Sequence, residues 1–286
     1  EICSRDWSSD VCSSDLPDAD GQFNATWETS DPTQSSAKSP YPGIIHLQGK
    51  LSRANGARVW RYLPLLVTQS ARDYVRLAIR EGSATDTRFT VRGDLNDMPF
   101  TNPQSGQFLI ESKVNNTVLA YVPTALQDPG EAPWPEFTQL SGDLIFSGHS
   151  MEVRDAKAAI HGLNGLKISK ASVTIADLEY PIVKVQAQAA GPLDDILTLV
   201  NQSPLNDLSG GALSRAKASG MADTTFTMSL PIDDLQLTQL DGSIKLAGNA
   251  LQLSPDTPIL NRASGQVVFS QLGFQIKGAK ASMLGG

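Results

Sequence analysis

Apolar and polar residues alternate along most of the chain. Leu140, Gly142, Leu144 and Phe146 occupy one phase, and Ser141, Asp143 and Ser147 the other. After Gly148-His149-Ser150, Met151 and Val153 alternate with Glu152 and Arg154. Ala156, Ala158 and Ile160 then continue one residue out of phase, which predicts a β-bulge near Asp155. The same period of two appears at Phe23, Ala25 and Trp27, and at Ile45, Leu47, Gly49 and Leu51. It recurs at Phe89 and Val91, at Val183, Val185, Ala187 and Ala189, and at Phe226, Met228 and Leu230. Period two, broken by glycine-containing turns, is the signature of half-buried antiparallel strands.

The pattern also repeats. Residues 141–162, SGDLIFSGHSMEVRDAKAAIHG, return at 264–285 as SGQVVFSQLGFQIKGAKASMLG, so that Gly142 and Gly265 lie 123 positions apart. Ser-Gly, Phe-Ser and Ala-Lys-Ala fall in register, and Leu144, Met151 and Val153 are matched by Val267, Phe274 and Ile276. A repeat of this kind is one supersecondary unit used at least twice.

Two stretches depart from the period. Residues 57–81 carry helical spacing: a short turn with Val59, Trp60 and Leu63 ends near Pro64. A second helix is expected there with Ser70 as its N-cap, Asp73 in its first turn and Gly82 as its stop. Tyr74, Leu77 and Ala78 give that helix an apolar stripe, and Trp60, Tyr62 and Tyr74 are expected in a core. Residues 192–201 form the other helix. Pro192 suits its first position, Asp194 and Asp195 its positive end, and Leu193, Ile196, Leu197 and Val200 its inner face. Asn115-Asn116 reads as the turn of a hairpin joining strands at 107–114 and 117–122. Asp241-Gly242 and Gly248-Asn249 read as further turns. The fold class expected is mainly β, an elongated, curved and twisted antiparallel sheet with short helices near 57–81 and 192–201.

Composition changes this picture at the start of the chain. Residues 6–16, DWSSDVCSSDL, resemble the translation of a sequencing-library adapter, and residues 1–5 are assigned the same origin. Residues 1–16 are therefore expected to be disordered. The remainder divides into 17–136, strands with a helical insertion, and 137–286, which holds the duplicated unit; together they are expected to be a fragment of a longer protein. Setting the first segment aside removes both cysteines, four acids and one base, which takes the net charge from −7 to −4. A mildly acidic chain without a Lys/Arg run is not a nucleic-acid surface. The longest apolar run, around 63–67, contains Pro64 and is far short of the roughly 20 residues that span a bilayer.

Candidate chemistry is sparse. His46, His149 and His161 show no metal-ligand spacing and read as turn or surface residues. There is no phosphate-binding glycine loop, no dinucleotide fingerprint and no nucleophile elbow. No cofactor and no metal is expected, and no catalytic residue is assigned.

The residues WRYLP at 60–64, followed by ARDYVRLAIREGSATDTRFTVRGDLNDMPF at 71–100, resemble the central region of the YhdP family of AsmA-like proteins. Tyr62-Leu63-Pro64, Arg72-Asp73-Tyr74, Gly82, Arg92-Gly93-Asp94-Leu95 and Pro99-Phe100 carry the resemblance. GPLDDILTLVNQSPL and the SGDLIFSG-type strands extend it over roughly 21–286, with a Ser/Pro loop at 33–42 as a departure. The resemblance implies the periplasmic portion of an inner-membrane protein of Gram-negative bacteria, not an enzyme, shaped as a twisted apolar β-groove and implicated in moving phospholipid toward the outer membrane. Its implied partners are phospholipid acyl chains, the inner membrane through a part of the parent protein outside this chain, and an unidentified partner on the outer-membrane side. The expected groove floor is Leu144, Phe146, Met151, Val153, Val183, Val185, Phe226, Met228, Val267, Phe269, Phe274 and Ile276. From alternation alone these positions read as an ordinary closed core; the resemblance turns them toward an open groove. A closed-core β scaffold or protein-interaction module without lipid transport, and a glycan-acting β enzyme with paired acids, are the rival readings.

Overall fold

The computed structural model describes residues 12–64, 67–208, 210–234 and 237–283. Within them the chain forms one antiparallel sheet of fourteen strands, not closed into a barrel. The strands are β1 (Cys12–Leu16), β2 (Ala19–Glu28), β3 (Ile44–Asn55), β4 (Ile79–Asp94), β5 (Gly106–Leu119), β6 (Phe137–Ser147) and β7 (Ser150–Ile160). They continue as β8 (Leu163–Ile175), β9 (Ile182–Pro192), β10 (Lys217–Ser219), β11 (Met221–Pro231), β12 (Gln239–Gln252), β13 (Leu260–Ser270) and β14 (Gly273–Ser282). Each pairs with its sequence neighbour, except that β9 pairs with β11 and the short β10 joins β12 beside it. At about 4.8 Å per strand, the thirteen strands in line extend roughly 58 Å along the contour of the sheet.

The duplicated unit is a hairpin with the same bulges in both copies. β6 and β13 cover the same positions at the 123-residue offset, and both have left-handed backbone at their third residue, Gln139 (φ 53°) and Arg262 (φ 51°). In β7 the bulge falls at Asp155 (φ 49°), and its counterpart in β14 is Gly278 (φ 60°). The β7–β8 register shifts between Val153 and Ala156, where the sequence changes phase. One extra residue in a strand turns every later side chain to the other face, so the shift keeps Ala156, Ala158 and Ile160 buried.

Several turn-like dipeptides turn out to be bulges. Asn115-Asn116 does not reverse the chain: β5 runs on from Gly106 to Leu119, with Asn116 at φ 47° and a register shift against β6. Gly242 sits mid-strand in β12 with regular pairing on both sides, and Gly248-Asn249 is a bulge there. Residues 166–168 and 173–175 both belong to the single strand β8. An Asn or Gly that accepts positive φ suits a turn and a bulge equally; the partner strand decides which.

Residues 12–16, expected to be disordered, pair along β2 as β1; residues 1–11 lie outside the described set. The first helical segment, Gly56–Tyr62, is a 3-10 helix capped by Asn55. Helix α1 (Gln69–Ala78) is capped by Thr68 rather than Ser70, and it stops at Ile79 rather than at Gly82. There Ile79 and Glu81 take up pairing with Leu119 and Val118. Helix α2 (Leu193–Asn201) starts just after Pro192. A one-turn helix, α3 (Leu205–Leu208), follows it.

All these helices lie on one long edge of the sheet, where β3, β5, β7 and β9 end. α2 buries Leu193 and Ile196 against Ile160, Leu163, Leu166, Ala222 and Leu246. The Asp195 carboxylate accepts the Gly165 and Leu166 amides at 2.9 and 3.0 Å, which ties the helix to β8. The opposite edge carries the two-residue turns of the duplicated hairpin, at 148–149 and 271–272, and longer loops between the other strands. At its β2–β5 end, Asp94 gathers the 29–43 loop: its carboxylate accepts the Ser30 and Ser35 hydroxyls at 2.7 and 2.6 Å and the Asn96 amide at 3.0 Å. This explains the Arg-Gly-Asp triplet structurally. Gly93 has φ 132°, and a Cβ there would strike the Phe100 ring and the Ser105 carbonyl.

Those hydrogen bonds, from Ser35 first and then the Asn96 amide, hold the Asp94 carboxyl below its ordinary pKa. A depressed folded pKa stabilises the fold fully above the unfolded value near 3.9, and the effect is lost as pH falls through the folded pKa. Asp94→Asn is expected to cost about 1 kcal/mol or less at pH 7, since the group is part-exposed. The melting-temperature gap from wild type should close as pH falls below about 4, and thermal melts at stepped pH measure it.

Candidate functional site

Strand register decides which side chains share a face. Phe146 faces Met151 on β7, and Met151 faces Ile175 on β8. Ile175 faces Val183 on β9, which faces Leu230 on β11. In the other direction Phe146 faces Ile110, then Phe89, Gly49 and Phe23. Nine adjacent strands thus contribute a row of apolar residues and one glycine, running across the strands. A second row carries Leu144, Val153, Val173, Val185, Met228 and Leu240. A third joins Phe226 through Gly242 to Phe269 and Phe274, and a fourth joins Ile244 to Val267 and Ile276.

All twelve sequence-selected residues therefore lie on one face. Phe23, Phe89, Ile110, Val173, Ile175 and Leu230 share it and were not selected. The signal for Phe89 and Phe23 was present as alternation, but the hairpin expected at 115–116 obscured how β5 links the two halves.

Two glycines in these rows make room for aromatic rings. A Cβ at Gly49 would strike the Phe89 ring, and one at Gly242 the Phe269 ring. Each ring lies over the backbone of the neighbouring strand, which fills the row without adding bulk.

The face is half-buried rather than sealed. Most of its residues have intermediate exposure, while Lys184, Gln186 and Gln188 on the other face of β9 are exposed. Toward β14 exposure rises, to 58% at Phe274 and 53% at Ile276. Clusters of fully buried residues are small, one under α2 and one at Ala156, Ala171 and Ala187, and Val91 is buried on β4. Among the described residues no second sheet covers the face.

Two cavities mark the surface. A small one, about 180 Å³, is lined by Ala25, Trp27 and Ile45 at the β2–β3 end of the apolar face. The larger, about 550 Å³, lies on the opposite face between Lys170, Gln186, Gln188, Thr225, Thr227 and Asp241.

At the helical edge the apolar face ends in aromatics. Tyr121 stacks on Phe137 with ring centroids 4.8 Å apart and meets Trp134 at 5.8 Å. Burial pushes the Tyr121 phenol pKa up. Tyr74 donates its hydroxyl to the Tyr121 carbonyl at 3.0 Å. Tyr62 and Tyr74 are 48% and 41% exposed, so the core role expected for them does not hold. Trp60 is half-buried between Arg61 and Arg76, whose guanidinium carbons sit 5.6 and 5.8 Å from its ring.

Among the described residues no group of three or more His, Cys, Asp or Glu is placed to hold a metal. His46 projects from the polar face opposite Arg92, and His149 and His161 stand at turns.

The sequence profile of the YhdP protein family matches residues 5–286. The chain belongs to the YhdP family. The match begins inside the segment set aside as adapter-like. No match is found among curated proteins or solved structures. The YhdP family is AsmA-like and membrane-associated, a family of the bacterial envelope and not of enzymes. Among the described residues no helix is long and apolar enough to cross a membrane.

Proposed function

We propose that this YhdP-family segment carries phospholipid acyl chains along its apolar face. In this reading it is the periplasmic part of an inner-membrane-anchored protein that moves phospholipid toward the outer membrane. The anchor lies in a part of the parent protein outside this chain, and an unidentified partner receives the lipid at the outer membrane. The observation that supports this most is the unbroken apolar row from Phe23 to Leu230, which runs across strands and therefore along the length of the sheet. Acyl chains leaving water gain about 0.8 kcal/mol per buried CH₂. Neighbouring rows offer similar surface, so a chain sliding along them meets little change in energy. Headgroups remain in water beyond the rims.

An open apolar face of this extent is costly to expose unless something occupies it. A closed scaffold would bury the same residues against a second layer. Native mass spectrometry with lipid extraction tests the reading on protein purified from a bacterial periplasm. Phospholipid is expected to copurify with the folded chain. A folded, lipid-free protein that also takes up no added phospholipid would overturn it.

A further inference from the structure

Resting on that reading, we infer that the arginine cluster around Trp60 binds the phosphodiester of a phospholipid headgroup at the helical rim of the groove. The chain as a whole is acidic, at −7, yet residues 56–80 hold Arg58, Arg61, Arg72, Arg76 and Arg80 against a single acid, Asp73. The structure folds this segment so that the Arg61 and Arg76 guanidinium groups flank one indole. Arg58 is exposed on the same 3-10 helix and makes no ion pair among the described residues.

The two flanking arginines have carboxylate neighbours, but loose ones. Arg61 reaches Asp18 at 3.4 Å and Arg76 reaches Asp73 at 3.3 Å, with both arginine side chains about half exposed. Arg76–Asp73 is an exposed pair of the kind that contributes little, and at Arg61 a phosphate competes with the less exposed Asp18, whose contact is long at 3.4 Å. Arginine presents a planar fork of donors that suits phosphate oxygens, and its stacking on Trp60 holds that fork in place.

The position fits a lipid rather than a free anion. The cluster stands at the end of β3, and Gly56, where its helix begins, lies against Gly82 and Ile79 at the start of β4. From Ile79 a half-buried apolar row runs through Leu119 to Phe137, and ends at Ile160 and Leu163, which α2 covers. A phosphate held at the rim thus has apolar surface directly below it for its acyl chains. One amphiphile satisfies both features.

The test uses the full chain and two probes of equal acyl length, phosphatidylglycerol and the diacylglycerol that lacks the phosphate. Wild type is expected to bind phosphatidylglycerol about tenfold more tightly than diacylglycerol. The variant Arg58→Gln/Arg61→Gln/Arg76→Gln is expected to lose that preference while still binding diacylglycerol. A matched variant on the polar face, Arg92→Gln/Lys170→Gln/Lys184→Gln, removes the same charge and should keep the preference. All six side chains are on the surface, and circular dichroism checks that both variants fold. Unchanged preference in the Trp60-cluster variant overturns this inference alone. So does loss of binding only to intact phosphatidylglycerol vesicles, which would mark a membrane-docking surface, or equal competition by inorganic phosphate, which would mark an anion site. If wild type binds neither probe, the groove reading fails and this inference fails with it.

Discussion

Phe146→Asp combined with Phe269→Asp is expected to reduce copurifying phospholipid at least tenfold. Phe146 is central in the row that runs from Phe23 to Leu230, and Phe269 fills the row beyond Gly242. A carboxylate at either position keeps its hydration, because an isolated charge is costly to bury in apolar surroundings. Each substitution therefore places a wet barrier across the path of an acyl chain. Both residues are half-buried on an uncovered face, so the new charges can reach water and the sheet should survive, with a loss of about 1–3 kcal/mol. The lipid-to-protein ratio by mass spectrometry is the measurement, with a thermal melt as the folding control. Phe146→Ala combined with Phe269→Ala separates charge from shape: it should lower stability and leave most of the lipid bound. An unchanged ratio in the Asp variant would remove these rows from the lipid path.

The largest single-site loss of stability is expected at Asn249. Its side chain is 1% exposed and closes the break between β10 and β11. The amide donates to the Ser219 and Met221 carbonyls, both at 3.1 Å, and the amide oxygen accepts the Ala247 N–H at 2.8 Å. Asn249→Ala would remove three hydrogen bonds to backbone groups, at about 0.5–1.5 kcal/mol each, because Ser219, Met221 and Ala247 are exposed residues whose groups can turn to water. A total of about 2–4 kcal/mol follows, a fall of roughly 3–7 °C in melting temperature. Asn249→Asp should not rescue it. The carboxylate can still accept from Ala247, but it faces two carbonyl oxygens that require a donor. Melts of the three proteins measure this, and faster amide exchange at 217–221 should accompany the loss. A melting temperature within 2 °C or so of wild type for the Ala variant would show that water replaces the side chain.

Much of the candidate site was legible because it depends on a local property. Alternation at Leu144–Phe146, Met151–Val153 and Val183–Val185 assigns each side chain to a face before any partner is known, and the strand register then brings those faces together. The phase change at Asp155 predicted a bulge, and the 123-residue repeat predicted that the same hairpin is built twice. The helices were legible in kind but not at their ends. α1 yields to β4 at Ile79 because Leu119 and Val118 stand ready to pair with it, and no residue within the helix announces that.

The sequence by itself determined the two faces of the strands, the duplicated hairpin and the presence of the helical segments, since each follows from spacing within a few residues. Tertiary structure alone decided that Asn115-Asn116 and Gly248-Asn249 are bulges in long strands and not reversals. It also decided that β5 joins both halves into one sheet, and that no second sheet covers the apolar face among the described residues. These outcomes depend on which backbone lies alongside, and pairing partners such as Ser219 and Asn249, or Phe89 and Ile110, are too far apart in the chain for local pattern to connect them.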